Sequence, residues 1–206
     1  MTVLTLNGVE VRKGFLDPEA QAALVAQLRE VAREAPPVRM ETPGGRRMSV
    51  AMTSAGRVGW VSSRGGYAYV LEKPGGGAWP AIPPGALEVW RAVSGWDADP
   101  DCCLVNWYGE GARMGLHRDA DEGDFAAPVV SISLGDPGLF RVGGLERKGP
   151  TRSVWLESGD VARLGGAARL VHHGVDRIRF GASGLLPKGG RLNLTLRVVA
   201  DAVVRG

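Results

Sequence analysis

Apolar and polar positions alternate without a break over Arg191-Leu192-Asn193-Leu194-Thr195-Leu196-Arg197. Period two predicts a strand with leucines on one face and polar side chains on the other. Leucines this regular call for burial, whereas the polar face suits either solvent or a cavity wall. A second alternation, Leu104-Val105-Asn106-Trp107-Tyr108, sets Leu104, Asn106 and Tyr108 on one face and Cys103, Val105 and Trp107 on the other. Shorter strand-like segments cover residues 3–11, 48–53, 129–134, 138–142, 151–156 and 161–164, separated by Gly, Pro and Asp. This spacing predicts an antiparallel sandwich or jelly roll.

Helical periodicity occurs in two places. Asp17-Pro18 is a sound helix start, an N-cap followed by proline in the first turn. Ala20, Ala23, Leu24, Val25, Leu28, Val31 and Ala32 then form one stripe, and Pro36-Pro37 ends it, so a bracing helix is expected to about Glu34. A shorter helix is expected over residues 85–93. Between them Thr42-Pro43-Gly44-Gly45-Arg46-Arg47 reads as a turn. Gly56, Gly59, Gly65 and Gly66 then punctuate a stretch carrying Trp60, Tyr67, Tyr69 and Trp79. These aromatics suit stacking on a base or, more simply, a small core.

Composition narrows the class to α+β dominated by strands. The 206-residue length suits one domain, and 31 glycines with 13 prolines favour short strands and turns. No run of eighteen apolar residues exists and the start lacks a secretion-signal layout, so no membrane span and a cytoplasmic protein are expected. Adjacent Cys102 and Cys103 cannot form an ordinary disulfide and read as reduced, buried strand residues. The net charge of +3 decides little, but its distribution is uneven. Acids crowd between Asp97 and Asp124, and basic residues dominate from Arg141 to Arg197. That layout fits a phosphate backbone held around an acidic centre, and equally an ordinary solvated surface.

The candidate chemistry lies in Leu116-His117-Arg118-Asp119-Ala120-Asp121-Glu122. On an extended segment His117 and Asp119 share a face and can converge on one metal ion. A third ligand must be His172 or His173, since the chain has only three histidines. Two histidines and one carboxylate, with positions left open, suit a non-haem Fe(II) oxygenase. Taken alone, a His-x-Asp pair is weak evidence. The two arginines of the 191–197 strand are spaced roughly 20 Å apart, so one guanidinium could grip each end of a site.

The chain resembles the AlkB family of Fe(II)- and 2-oxoglutarate-dependent dioxygenases, close to its bacterial founding member. The likeness runs from about Val9 to Val198 and rests on ordered motifs. These include Met48-Ser49-Val50-Ala51-Met52-Thr53, Asn106-x-Tyr108, Leu116-His117-x-Asp119-x-Asp121-Glu122, Gly143-Gly144-Leu145, His173-Gly174 and Arg191-x-Asn193-x-Thr195-x-Arg197. The resemblance implies that His117, Asp119 and His173 hold Fe(II), with His173 rather than His172 in the family's His-Gly position. It places 2-oxoglutarate on Asn106, Tyr108, Arg191, Asn193 and Arg197. The base pocket falls on Trp60, Tyr67 and Asp121, with Met52 and Arg147 nearby. Asp121 would accept from the exocyclic amino group, and Asp121 and Glu122 would both favour a cationic base.

The implied fold is a double-stranded β-helix, or jelly-roll, core over about residues 101–200. About residues 1–100 would supply an N-terminal extension with bracing helices and a nucleotide-recognition lid, within one domain over 1–206. The implied activity is oxidative demethylation of N1-methyladenine and N3-methylcytosine, releasing formaldehyde, succinate and CO2 in direct reversal of DNA damage. Alkylated DNA, single-stranded or duplex, is the expected partner, with RNA as a further substrate, and the default state is a monomer. Alternatives are a related oxygenase acting on tRNA, protein or a small molecule, and a non-catalytic binding module. Arg46-Arg47 departs from the family's pattern, in which a less charged pair with an aromatic first is expected, and the loop between His173 and Arg191 also departs from it.

Overall fold

The protein is described from a computed structural model covering residues 2–205. Its strands are β1 (Thr2–Leu6), β2 (Val9–Lys13), β3 (Ala51–Gly56), β4 (Gly59–Ser63), β5 (Gly66–Val70), β6 (Cys102–Tyr108) and β7 (Met114–His117), followed by β8 (Val129–Gly135), β9 (Gly138–Val142), β10 (Arg152–Leu156), β11 (Val161–Leu164), β12 (His173–Ile178), β13 (Arg191–Arg197) and β14 (Val204–Arg205). The helices are α1 (Pro18–Glu34) and α2 (Pro84–Val93). A seven-stranded sheet runs β1-β2-β11-β8-β13-β6-β3, a four-stranded sheet runs β10-β9-β12-β7, and β14-β5-β4 forms a small third sheet. This is the expected α+β jelly roll. Residues before 100 do more than cover it: β1, β2 and β3 are strands of the major sheet itself.

Alternation gives the major sheet two chemically different faces. Strand β13 lies at its centre, pairing with β6 on one side and β8 on the other, so it is no edge strand. Leu192, Leu194 and Leu196 point to the side that also carries Val130, Ile132, Leu134, Cys103 and Val105. That side packs against Leu24, Val25, Leu28 and Val31 of α1 and Ala86, Val89, Trp90 and Val93 of α2. The opposite side turns Leu104, Tyr108 and Val129 toward Phe140, Val142 and Val175 of the four-stranded sheet. Between these two layers lies the space for a site. Leu194 is fully buried in the helix-side core. Leu194→Ala is expected to destabilise the fold by about 2–5 kcal/mol, through lost burial and a cavity that cannot fully collapse; chemical denaturation measures it.

The helix limits follow from local chemistry. The Asp17 carboxylate accepts from the Ala20 N–H at 2.8 Å and Pro18 opens the first turn, as the sequence predicts. Helix α2 starts behind Pro83 with no side-chain cap, and the Trp90 indole N–H donates to Ala98 O at 2.9 Å to fix its end.

Two sequence expectations are corrected, and one further hairpin is added. Residues 3–11 are a hairpin rather than one strand, because Asn7 (φ 45°) and Gly8 (φ 85°) turn the chain between β1 and β2. The strand expected over 48–53 is shifted to β3: Met48 bonds back to Met40 O, and ladder pairing begins only at Ala51 opposite Trp107. The aromatic stretch is a second hairpin, β4–β5, in which Trp79 covers Gly59 so closely that a Cβ there would lie 2.2 Å from the indole. Among the described residues no helix is long and apolar enough to cross a membrane.

Candidate active site

Strands β7 and β12 of the small sheet run antiparallel, and their register sets His117 directly opposite His173. Asp119 follows just beyond β7, and one ligand atom from each of the three lies within 4.8 Å of the others. The Nε2 atoms of His117 and His173 each stand 3.8 Å from an Asp119 oxygen, too far for mutual hydrogen bonds and suited to a shared ion. Each imidazole has its Nδ1 next to a backbone carbonyl, Gly115 O at 2.9 Å and Val171 O at 3.1 Å. Donation there selects the tautomer whose Nε2 carries a free lone pair.

Electrostatics agrees with this reading of the donor set. Burial lowers the His173 pKa to about 4, with His117 adding to the effect, so its imidazole is neutral at physiological pH. Burial alone would raise the Asp119 pKa, but Arg197 and then the two imidazoles outweigh it and hold the carboxyl below its usual range. One Asp119 oxygen accepts from Arg197 Nη2 at 2.8 Å, while buried Oδ2 has no hydrogen-bond partner. A buried carboxylate oxygen left bare beside two free imidazole nitrogens fits a divalent ion that takes three protein ligands. His172 is not in this group: its Nδ1 lies 3.3 Å from Gly144 O, and it does not line the cavity.

That cavity has a volume of about 550 Å³ and runs from the triad between the two sheets. Its inner wall is the polar face of β13, β6 and β8, including Asn106, Tyr108, Ser131, Arg191, Asn193 and Arg197. Arg191 is 0 % exposed and has no ion-pair partner among the described residues. Its Nη2 donates to Ser133 Oγ at 2.7 Å and Nη1 to Leu156 O at 3.3 Å, leaving Nε without a partner. Burial pulls its pKa down to about 10, yet it stays protonated at neutral pH. A buried guanidinium without an acid is costly unless an anion joins it.

Tyr108, pushed up to about 12 by burial, is a neutral phenol whose hydroxyl meets only Met114 Sδ at 3.7 Å, and Asn106 Oδ1 has no partner. Asn193 is more firmly held, its amide donating to Ser131 Oγ at 2.7 Å and Ile132 O at 3.1 Å. The two arginines of β13 therefore differ. Arg197 is already engaged with Asp119, the Tyr69 hydroxyl at 3.1 Å and Glu122 at 3.4 Å. Of these two, only Arg191 presents uncompensated charge to the cavity.

At the mouth, Trp60 and Tyr67 stack on each other, ring centroids 5.2 Å apart and planes 25° from parallel. The Trp60 indole N–H donates to Asp121 Oδ2 at 3.2 Å. Met52 lines the floor and Arg147 the rim, so all the sequence-selected pocket residues meet in one cavity.

Glu122 does not: it is 1 % exposed, paired with Arg169 at 3.1 Å and bonded by the Tyr69 hydroxyl at 2.8 Å. The expectation that Glu122 would face a cationic base is therefore corrected, because its charge is spent inside the protein. Tyr69, its pKa raised well above the ordinary value by burial, is likewise core and not a stacking platform. Sequence reasoning missed Arg113 and Arg118, which join Arg46, Arg47 and Arg147 around the mouth. Their position flanking the His-x-Asp motif was the available signal. It also missed the work of Arg169, buried and donating to the carbonyls of Ala127 (2.9 Å) and Asp119 (2.8 Å), which fixes the ligand loop.

The 2OG-Fe(II) oxygenase superfamily model matches residues 8–197. An alpha-ketoglutarate-dependent dioxygenase AlkB homolog of Caulobacter vibrioides is 53% identical over 191 residues, covering 92% of this chain and 87% of that protein. The alpha-ketoglutarate-dependent dioxygenase AlkB of Escherichia coli is 41% identical over 183 residues, covering 86% of this chain and 84% of its own. The solved structure of OsALKBH1 superposes with a TM-score of 0.79 at 29% identity, covering 96% of this chain and 100% of that one. With the triad, the cavity and these likenesses together, the chain belongs to the AlkB family of the 2OG-Fe(II) oxygenases and is an Fe(II)- and 2-oxoglutarate-dependent dioxygenase.

Proposed function

We propose that the chain demethylates alkylated nucleic-acid bases, N1-methyladenine and N3-methylcytosine in DNA first, with RNA as a further substrate. The observation that carries this reading is the continuity of one cavity, from the His117, Asp119 and His173 triad to a mouth with an indole, a carboxylate and a rim of arginines. Iron and 2-oxoglutarate, when bound, supply the oxidation by O2 of an N-methyl group, which leaves as formaldehyde while 2-oxoglutarate becomes succinate and CO2. His117, Asp119 and His173 hold the ion. Arg191 pairs with the distal carboxylate of 2-oxoglutarate, with Tyr108 and Asn106 offering further polar contacts. Asn193 and Arg197 complete the polar wall on the metal side.

The mouth residues handle the base. A flipped base needs a stacking gap of about 3.5 Å on each side, which the closed pair of Trp60 and Tyr67 at 5.2 Å does not offer. A base therefore stacks on the free face of Trp60 or parts the two rings. A methyl on the Watson–Crick edge gives adenine or cytosine a positive charge, and Asp121 attracts it while accepting from the exocyclic amino group. Base flipping costs least in a single strand, so that is the preferred form over duplex. A monomer acting in the cytoplasm is sufficient for this chemistry.

The test is formaldehyde and succinate release from a methylated single-stranded oligonucleotide, supplied with Fe(II), ascorbate and 2-oxoglutarate, beside the unmethylated strand and His117→Ala. Both products, requiring both the methyl group and His117, support the proposal. Succinate without formaldehyde points instead to a different substrate. Asp121→Ala is expected to reduce coupled demethylation at least about tenfold, from loss of one charged hydrogen bond, and to leave substrate-free 2-oxoglutarate consumption within about twofold. The reverse order would reject the role of Asp121 at the base.

A further inference from the structure

A fully buried carboxylate lies behind Arg191, outside the cavity. Asp136, in the turn Gly135-Asp136-Pro137 between β8 and β9, is 0 % exposed and has no ion-pair partner among the described residues. Its Oδ2 accepts from the Gly190 N–H at 2.6 Å and the Gly181 N–H at 2.8 Å, and its Oδ1 from the Ser183 N–H at 2.8 Å. Its own N–H donates to Gly190 O at 2.8 Å, and Arg179 N–H donates to Pro137 O at 2.9 Å. One short turn thus holds both ends of the irregular 179–190 loop, accepting from the buried Gly190 N–H and the part-buried Gly181 and Ser183 N–H groups.

The turn also shapes the seat of the guanidinium. A Cβ on Gly138 would lie 2.9 Å from Arg191 Nε, and one on Gly135 2.6 Å from Gly190 O. A Cβ on Gly190, which has φ 102°, would lie 2.9 Å from Tyr108 O. Backbone therefore packs on backbone around the start of β13, and Asp136 is the side chain that fixes this packing. Arg191 has no ion-pair partner among the described residues, so its aim depends on its bonds to Ser133 Oγ and Leu156 O and on the backbone that carries it.

We propose that Asp136 is a positioning residue for 2-oxoglutarate: it locks the loop and Gly190 so that Arg191 meets the distal carboxylate. This inference rests on Arg191 being the partner of that carboxylate. Asp136→Asn keeps the volume but replaces one acceptor oxygen by an amide donor facing backbone N–H groups. The main-chain bonds then loosen while the triad, built on other strands, is untouched.

The experiment is calorimetric titration of the Mn(II)-loaded protein, without nucleic acid, with 2-oxoglutarate and with 2-oxopentanoate. The second acid has the same chain length but lacks the distal carboxylate. Wild type should bind 2-oxoglutarate far more tightly, whereas equal binding would remove the reading of Arg191 on which the proposal stands. With that difference present, Asp136→Asn should weaken 2-oxoglutarate about tenfold, a usual cost of substitution behind a binding group, and leave 2-oxopentanoate unchanged. In turnover the same variant should raise KM for 2-oxoglutarate with little change in kcat. Unchanged affinity for 2-oxoglutarate, or equal weakening of both acids, would overturn the proposal and reduce Asp136 to a structural staple. If Asp136→Asn fails to fold, Ser183→Pro removes the single N–H that reaches Oδ1 and is read against the same two acids.

Discussion

His173→Ala is expected to abolish metal binding and turnover, and His172→Ala to leave both within about twofold. The two imidazoles are adjacent in sequence and equally buried, yet they face opposite ways. His173 opens β12 directly across from His117 with its Nε2 toward Asp119, while His172 is tied to the Gly144 carbonyl. Loss of a ligand removes one of three protein bonds to the ion. Loss of a residue that merely orients a ligand already costs about 10–100-fold, so deletion of the ligand itself should exceed 100-fold in iron affinity. Iron content after dialysis and succinate release measure the two effects separately. Equal loss in the two variants would overturn the assignment, and a folded His173→Ala protein that retains iron would do so more directly.

The ease with which this pair is told apart in space, against its ambiguity in sequence, shows where sequence reasoning works. Spacing alone cannot choose between neighbours, because adjacent residues lie on opposite faces of a strand and the face is set by a distant partner. Strand β13 was legible to the residue because its two faces need different chemistry: leucines for the helix-side core, polar groups for the cavity. Helix α1 was legible because Asp17, Pro18 and Pro36 mark its ends. The hairpin β1–β2 was lost because apolar residues alternate on both sides of Asn7-Gly8, although the alternation changes phase there and the dipeptide itself was the better signal. Ion pairing lies furthest from view. Glu122 and Asp121 are neighbours of one type, and only the folded positions of Tyr69, Arg169 and Arg197 decide that Glu122 is buried and Asp121 meets the mouth. Arg191 and Arg197 share one strand face, but the proximity of Asp119 to Arg197 alone makes them unlike.

Binding of single-stranded nucleic acid should lose about 100-fold in affinity between 50 and 200 mM salt. Arg46, Arg47, Arg113, Arg118 and Arg147 surround the mouth, and none has an ion-pair partner among the described residues. Some exposed arginines elsewhere are paired, as Arg64 is with Glu41 at 3.0 Å and Arg57 with Asp101 at 2.8 Å, and others such as Arg29 and Arg152 are not, so clustering is what sets the mouth apart. Unpaired cations gathered at one opening repel each other in the free protein and are relieved by phosphates. Each phosphate neutralised on a single strand contributes about −0.7 to the slope of log K against log salt, so about five contacts give a slope near −3.5. Anisotropy of a labelled, unmethylated strand measures it, which separates phosphate contacts from base chemistry. Replacing Arg46 and Arg47 together by alanine should reduce the slope by about 1.4 for every sequence tested. Arg33→Ala on α1, whose guanidinium is paired with Glu30, should not change it. A slope unmoved by the double substitution would detach that loop from the phosphate path. A wild-type slope shallower than about −1 would mean that the arginine rim serves something other than a polyanion, since the net charge of +3 without the clustering predicts little attraction.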